Sequence, residues 1–157
     1  MNPFASLDTD KLRNLIGHVT ECILELKDIV NTGKEAFLKD RRQYAIAEHY
    51  FRRALEGILS AGTHIISRFP VKTKDYQEII VTLGKLKIIP EDFAQRNKAL
   101  ASYRNRLVHV YWDVPAEELF DTISCHISDL EKFCEYFTKA AKGSFNHKTT
   151  AQRSIKK

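Results

Sequence analysis

The polar side chains best suited to chemistry lie close together, between Tyr103 and Asp113. Arg104 offers a guanidinium that can bind a phosphate, and His109 offers an imidazole, a group that accepts or donates a proton near neutral pH. On a regular helix their five-residue separation places them about 140° apart around the axis, whereas Tyr111 lies almost directly above Arg104. A histidine near a helix end is also common for structural reasons. The spacing alone therefore leaves catalysis and helix capping both open.

Several other catalytic motifs are missing from the sequence. It has no phosphate-binding loop of the GxxxxGK[ST] type, no GxGxxG and no HExxH. None of the six histidines follows a glutamate by three residues, as the histidines of di-iron helical bundles do. Gly57 and Gly62 fall within an apolar helical pattern, where close helix packing explains them better than phosphate binding. These observations argue against metal enzymes and mononucleotide enzymes of those kinds.

Helices must position the polar stretch, because apolar residues recur at three- and four-residue spacing and no strand-like alternation competes. The apolar rows run over residues 12–30, 37–66, 76–83, 93–110 and 119–137. We expect the fourth helix to begin at Pro90 and end near residues 113–115, and the fifth to run from Pro115 to Gly143. The sequence therefore predicts an all-α fold, an antiparallel four-helix bundle with an additional short helix at one end.

The chain has 157 residues, enough for one domain with its own core, and its net charge is +5. After Lys142 there are four basic residues and no acidic ones, which leaves residues 1–142 nearly neutral. We therefore predict a helical bundle over residues 1–142 and a basic, disordered tail over 143–157. The sequence shows no signal peptide, no membrane-length apolar run and no paired-cysteine motif. These features predict a cytoplasmic protein.

The polar stretch resembles the signature of a known family. Arg104, Asn105 and His109 match the Arg-x4–6-His motif of HEPN domains, in which a polar residue follows the arginine, and Tyr111 extends the match to the Arg-x4-His-x-Tyr form of HepT toxins. The resemblance covers about residues 10–140 and includes the three segments 37–42, 88–93 and 103–115. Val110 stands where the family often has an acidic residue.

The resemblance implies a homodimeric ribonuclease toxin that cuts RNA without a metal. The implied reaction leaves a 2′,3′-cyclic phosphate and a 5′-hydroxyl, with His109 transferring protons and Arg104 stabilising charge on the phosphate. Asn105 is a supporting residue that orients the phosphate or His109, although a capping or dimer contact remains open. We expect Arg106 to be solvated or to position RNA. A catalytically silent HEPN-like subunit that binds a nucleotidyltransferase is the alternative, and a plain helical interaction module is a third reading.

Tyr111 is the implied control point. In the resembling family this tyrosine accepts AMP groups from ATP, transferred by a minimal nucleotidyltransferase antitoxin of the MntA type. The toxin itself would need no cofactor, and the added phosphates would block the cleft beside Arg104 and His109. A purely structural tyrosine that closes the end of the bundle is the other interpretation. Residues 40–42 fit a helix-start ion-pair network better than a dimer or partner surface.

Overall fold

The computed structural model describes residues 7–109 and 114–155, and it gives side-chain surroundings up to residue 143. The described backbone is helical and contains no strand, which confirms the predicted all-α class. In chain order the helices are α1 Thr9–Thr32, α2 Lys34–Lys39, α3 Arg41–Ile66, α4 Tyr76–Lys85, α5 Glu91–Asn97, α6 Ala99–Val108 and α7 Ala116–Ile155. No helix within the described ranges combines the length and the apolarity that crossing a membrane requires.

The three long helices α1, α3 and α7 pack against one another and enclose most of the core. The Asp8 carboxylate begins α1 by accepting a hydrogen bond from the Lys11 backbone N–H at 3.0 Å. Helices α1 and α3 approach closely at Gly57, because a Cβ there would lie 2.5 Å from the Val19 Cγ2 atom. This contact confirms that Gly57 serves helix packing.

The second predicted helix is interrupted at Asp40, so that prediction was wrong in its continuity. Asp40 has an extended backbone, with φ −122° and ψ 106°, and its carboxylate accepts a hydrogen bond from the Arg42 backbone N–H at 3.0 Å. This cap ends α2 and begins α3. Residues 40–42 therefore begin a helix, as predicted, but through a hydrogen bond: within the described ranges Arg41 and Arg42 form none of the predicted ion pairs.

The fourth predicted helix is also divided, and it ends earlier than expected. The Asn97 side chain donates to the Phe93 carbonyl at 3.0 Å, and the helix is interrupted at Lys98 between α5 and α6. Helix α6 then ends at Val108, not at residues 113–115. Leu107 is the last buried residue of α6, and Val108 is 40% exposed.

Helix α7 closes the bundle with Phe133 and Phe137 fully inside the core. Phe133 packs edge-on against Phe93 of α5 with ring centres 4.7 Å apart, which attaches the α5–α6 pair to the long helices. The helical backbone continues past Gly143 to Ile155, so the predicted helix end at Gly143 was wrong. The division into a bundle over residues 1–142 and a separate tail stays a prediction.

Candidate active site

Arg104 is held on the face of α6 that looks toward α3 and α4. Its Nη1 donates to the Asn105 Oδ1 at 3.2 Å, and its Nη2 lies 3.4 Å from the Glu56 Oε1. The guanidinium carbon lies 4.9 Å from the ring centre of Tyr76. The Arg104 side chain is 21% exposed, and its buried Nε has no hydrogen-bond partner in the described structure. Arg104 is therefore oriented on several sides, and each of its terminal nitrogens keeps a second N–H to offer a ligand.

Glu56 does not bind Arg104 exclusively. The same Oε1 atom accepts a hydrogen bond from Arg52 Nη1 at 3.2 Å, one helical turn earlier on α3. The carboxylate thus lies between two guanidinium groups, and the three side chains together carry one net positive charge. An anion that approached Arg104 would meet a site that is still positive overall.

Asn105 contacts both predicted catalytic residues. Its side-chain oxygen accepts from Arg104, and its backbone carbonyl accepts from the His109 backbone N–H at 3.1 Å. The side-chain contact with Arg104 is not among the roles that the sequence left open for Asn105, and those roles stay predictions. Asn105 therefore restrains Arg104 through its side chain and the chain direction at His109 through its backbone.

His109 follows α6 and is not a member of its helical face. Its backbone is extended, with φ −85° and ψ 117°, and its side chain is exposed. The predicted 140° separation assumed a continuous helix from Arg104 to His109 and therefore does not apply. The imidazole makes no hydrogen bond or ion pair with a residue that the structure describes. Within the described part of one chain, the His109 and Arg104 side chains form no hydrogen bond with each other.

Arg106 has a structural partner. Its two terminal nitrogens donate to the two carboxylate oxygens of Glu118 at 2.6 and 3.1 Å, and its guanidinium lies 5.2 Å from the ring centre of Tyr103. This pairing holds the pKa of the Glu118 carboxyl below its ordinary value. Arg106 is therefore paired with Glu118 while its side chain stays 38% exposed, and its expected role in positioning RNA stays a prediction.

The connection from α6 to α7 is anchored at both ends. Arg106 and Glu118 join the helices that flank it, and the Tyr44 hydroxyl donates to the carbonyl of Val114 at 2.6 Å. Val114 is buried. Tyr111, the predicted AMP acceptor, and Val110 lie outside the described residues.

Sequence reasoning missed two residues that contact Arg104. Tyr76 was expected inside the bundle with the apolar row of its helix, but it is 38% exposed and lies against the guanidinium. Glu56 lies 48 residues before Arg104 and had no sequence signal of its own. Within the described part of the chain, no group of three or more His, Cys, Asp or Glu side chains is arranged to hold a metal ion.

An all-α bundle with an exposed Arg–Asn–x3–His segment at a helix end corresponds to a HEPN-type fold. The family model for HepT-like ribonucleases matches residues 19–137, and the chain belongs to this family. A curated relative, the tRNA nuclease HepT of Aphanizomenon flos-aquae (strain 2012/KM1/D3), is 29% identical over 101 residues, which cover 63% of this chain and 68% of that protein.

Solved structures share the fold at low sequence identity. A tri-AMPylated Shewanella oneidensis HEPN toxin in complex with an MNT antitoxin has a TM-score of 0.75 at 18% identity, covering 88% of this chain and 99% of that one. A toxin–antitoxin structure with AMP-PNP has a TM-score of 0.73 at 16% identity, covering 83% and 98%. The cytosolic protein YutE of Bacillus subtilis has a TM-score of 0.73 at 21% identity, covering 85% and 90%.

Proposed function

We propose that this chain is the ribonuclease toxin of a toxin–antitoxin pair and that it cleaves RNA with Arg104 and His109. The observation that carries the proposal is the geometry of Arg104, which is oriented by Asn105 and Tyr76 and keeps unused donors at a partly exposed position. Membership of the HepT-like ribonuclease family supports the reaction class. The relative named as a tRNA nuclease makes transfer RNA the first substrate to test.

The proposed reaction is an intramolecular transfer within the RNA and needs no metal. The ribose 2′-oxygen attacks the adjacent phosphorus, the bond from phosphorus to the 5′-oxygen breaks, and the products are a 2′,3′-cyclic phosphate and a 5′-hydroxyl. One His109 takes the proton from the 2′-hydroxyl, and a protonated His109 gives one to the leaving 5′-oxygen. Arg104 donates hydrogen bonds to the non-bridging oxygens, where negative charge increases in the transition state.

A homodimer would supply both protonation states. Within one copy the His109 and Arg104 side chains make no direct contact. A twofold axis near the end of α6 would bring two copies of each residue to one cleft, so that one His109 acts as base and the other as acid. Asn105 would support the site by holding Arg104 in the orientation that receives the phosphate.

The proposed antitoxin is a nucleotidyltransferase of the MntA type that transfers AMP from ATP to the Tyr111 hydroxyl. The similar fold of a tri-AMPylated toxin bound to an MNT antitoxin supports this regulation. Tyr111 is two residues from His109 in the sequence, so added phosphates would lie close to the catalytic imidazole. Negative charge there would repel the RNA backbone and occupy the donors of Arg104.

The test of the activity compares Arg104→Ala and His109→Ala with the wild-type protein on transfer RNA. We expect each variant to lose cleavage by about 100-fold or more while keeping its helical circular dichroism, and EDTA to have no effect. Arg13→Ala and His49→Ala are matched controls, because both side chains are exposed and neither is an ion-pair partner in the described structure. Folded variants that cleave normally would refute the assignment and favour the silent-subunit alternative.

The test of the regulation uses Tyr111→Phe, which removes the acceptor oxygen and keeps the ring. After co-expression with the antitoxin, intact mass should show added AMP on the wild-type toxin and none on Tyr111→Phe, and this variant should continue to cleave RNA. AMP addition to Tyr111→Phe at the wild-type level contradicts the assignment. Full neutralisation by an antitoxin that cannot bind ATP would indicate simple occlusion instead.

A further inference from the structure

A groove begins at Arg104 and follows the exposed face of α3. It encloses about 800 Å³ and is lined on its floor by α3 residues from Glu56 to His64 and by Ser67, which caps α3. Lys11 of α1 forms one side, and Tyr76 and Arg104 form the other. Since a helix rises about 1.5 Å per residue, the floor is about 16 Å long. The groove therefore extends well beyond the space that a single phosphate on Arg104 would need.

The groove is suited to an anionic ligand. Glu56 is the one acidic residue among its described lining residues, and that carboxylate is already held by Arg52 and Arg104 at 3.2 and 3.4 Å. Lys11, on the α1 side of the groove, has no ion-pair partner in the described structure. The charges that remain available to a ligand are therefore positive.

The remaining lining groups suit ribose and base contacts. Ser60, Thr63 and Ser67 place hydroxyls along the floor, and the oxygens of Thr63 and Ser67 can still accept although their hydrogens bind backbone carbonyls. The His64 Nε2 lies 3.2 Å from the Asp8 carbonyl, so this nitrogen donates and the other ring nitrogen is left to accept. Tyr76 is 38% exposed and offers ring surface for stacking.

We propose that this groove binds the nucleotides of single-stranded RNA next to the cleaved phosphate, with Lys11 binding a backbone phosphate and the α3 hydroxyls and Tyr76 contacting riboses and bases. The proposal rests on the proposed function, because Arg104 connects the groove to the cleavage site. A volume of this size matches clefts that enclose small extended ligands, and the exposed ring of Tyr76 suits the unstacked bases of a single strand. The occupant is therefore a single strand.

The test measures binding apart from cleavage. In a His109→Ala background, fluorescence anisotropy of a labelled single-stranded RNA of about 12 nucleotides gives the Kd for each groove variant. We expect Lys11→Glu and Ser60→Glu each to weaken binding about tenfold, and Lys11→Glu to lower the salt dependence of binding by about one phosphate contact. Glu at position 11 suits the first turn of α1, so Lys11→Glu should fold.

Matched controls on α7 separate a local contact from a change in net charge. Lys132→Glu and Ser128→Glu alter exposed positions in the same way, and neither residue lines the groove. Binding should stay at the level of the His109→Ala protein in both controls. Equal weakening in groove and control variants, or no weakening in the groove variants, overturns the subsite. Failure of the His109→Ala protein to bind this RNA also overturns it.

A second comparison distinguishes the subsite from the proposed function. With His109 intact, Lys11→Glu should lower kcat/KM more for the longer RNA than for a dinucleotide, because the longer RNA fills more of the groove and presents more backbone phosphates to Lys11. Equal losses on both substrates count against the subsite and leave the cleavage assignment standing. A wild-type protein that binds RNA through the groove but cleaves none would refute the proposed function and leave the subsite standing.

Discussion

Arg104 and Arg106 lie on opposite sides of α6, because residues two positions apart in a helix are separated by about 200° around its axis. Arg106 donates to both oxygens of Glu118 at 2.6 and 3.1 Å and joins α6 to α7. Arg104 has a single contact of 3.4 Å with Glu56, which it shares with Arg52, and one of 3.2 Å with its neighbour Asn105. One arginine is paired in full and the other is paired in part.

The difference shows how neighbouring arginines can have separate roles. The planar fork of Arg106 matches a carboxylate of its own chain, and this pair fixes the position where α7 begins. Arg104 is kept in one orientation by weaker contacts that a phosphate can replace or add to. A residue that must release and rebind an anion needs this partial pairing, whereas a bidentate internal partner would compete with every substrate.

Replacing each arginine with lysine tests most directly whether Arg104 and Arg106 have separate roles. Arg104→Lys keeps the charge and removes the planar fork, so we expect cleavage to fall by about 10- to 100-fold. Arg106→Lys should retain cleavage within a few-fold, because its contact lies on the α7 side. Initial rates on transfer RNA measure both. Comparable losses in the two variants would show that the two sides of α6 do not have separate roles.

The helices were predictable, whereas their ends were only partly so. Apolar spacing located α1 and the core row of α7, because burial of one face determines those elements over many residues. The break at Asp40 depends on one side-chain hydrogen bond, and α6 ends at the exposed Val108, one residue after the buried Leu107. Such local competitions are decided by tertiary surroundings that a one-dimensional pattern does not contain.

The candidate site shows the same limit. The Arg104–His109 spacing and the family resemblance identified the residues, but not the contacts that orient Arg104. Glu56 and Tyr76 come from other helices, and only packing brings them to the guanidinium. The regular-helix assumption also failed where it mattered most, since His109 has an extended backbone. Chemistry-bearing residues are thus easier to read from sequence than the side chains that position them.

Glu56→Gln tests how the partial pairing of Arg104 affects RNA binding and catalysis, and its expected effect is smaller. Removing this carboxylate charge should tighten RNA binding by about two- to fivefold, because a like charge beside the phosphate site is lost. It should also lower kcat by a few-fold, since Arg104 loses a partner that restrains it. Steady-state kinetics separate KM from kcat. Glu48→Gln on the same helix is the control, and an identical shift there would assign the effect to net charge.

The smallest expected effect lies on the other side of α6, in the stability that Glu118 provides. Its pairing with Arg106 lowers the pKa of the Glu118 carboxyl, so the pair stabilises the fold above the unfolded-state pKa and loses that contribution as the pH falls through the lower folded-state value. Both side chains are 38% exposed, and solvent screening limits the contribution to about 1 kcal/mol or less. Glu118→Gln should therefore lower the free energy of unfolding in urea at neutral pH by that amount. The difference from wild type should shrink at acid pH, where the protonated Glu118 carboxyl is as uncharged as the glutamine that replaces it. Glu135→Gln, on an exposed position of the same helix, should show no such difference. A Glu118→Gln effect that persists unchanged in acid would mean that the lost stability comes from packing and not from the ion pair with Arg106.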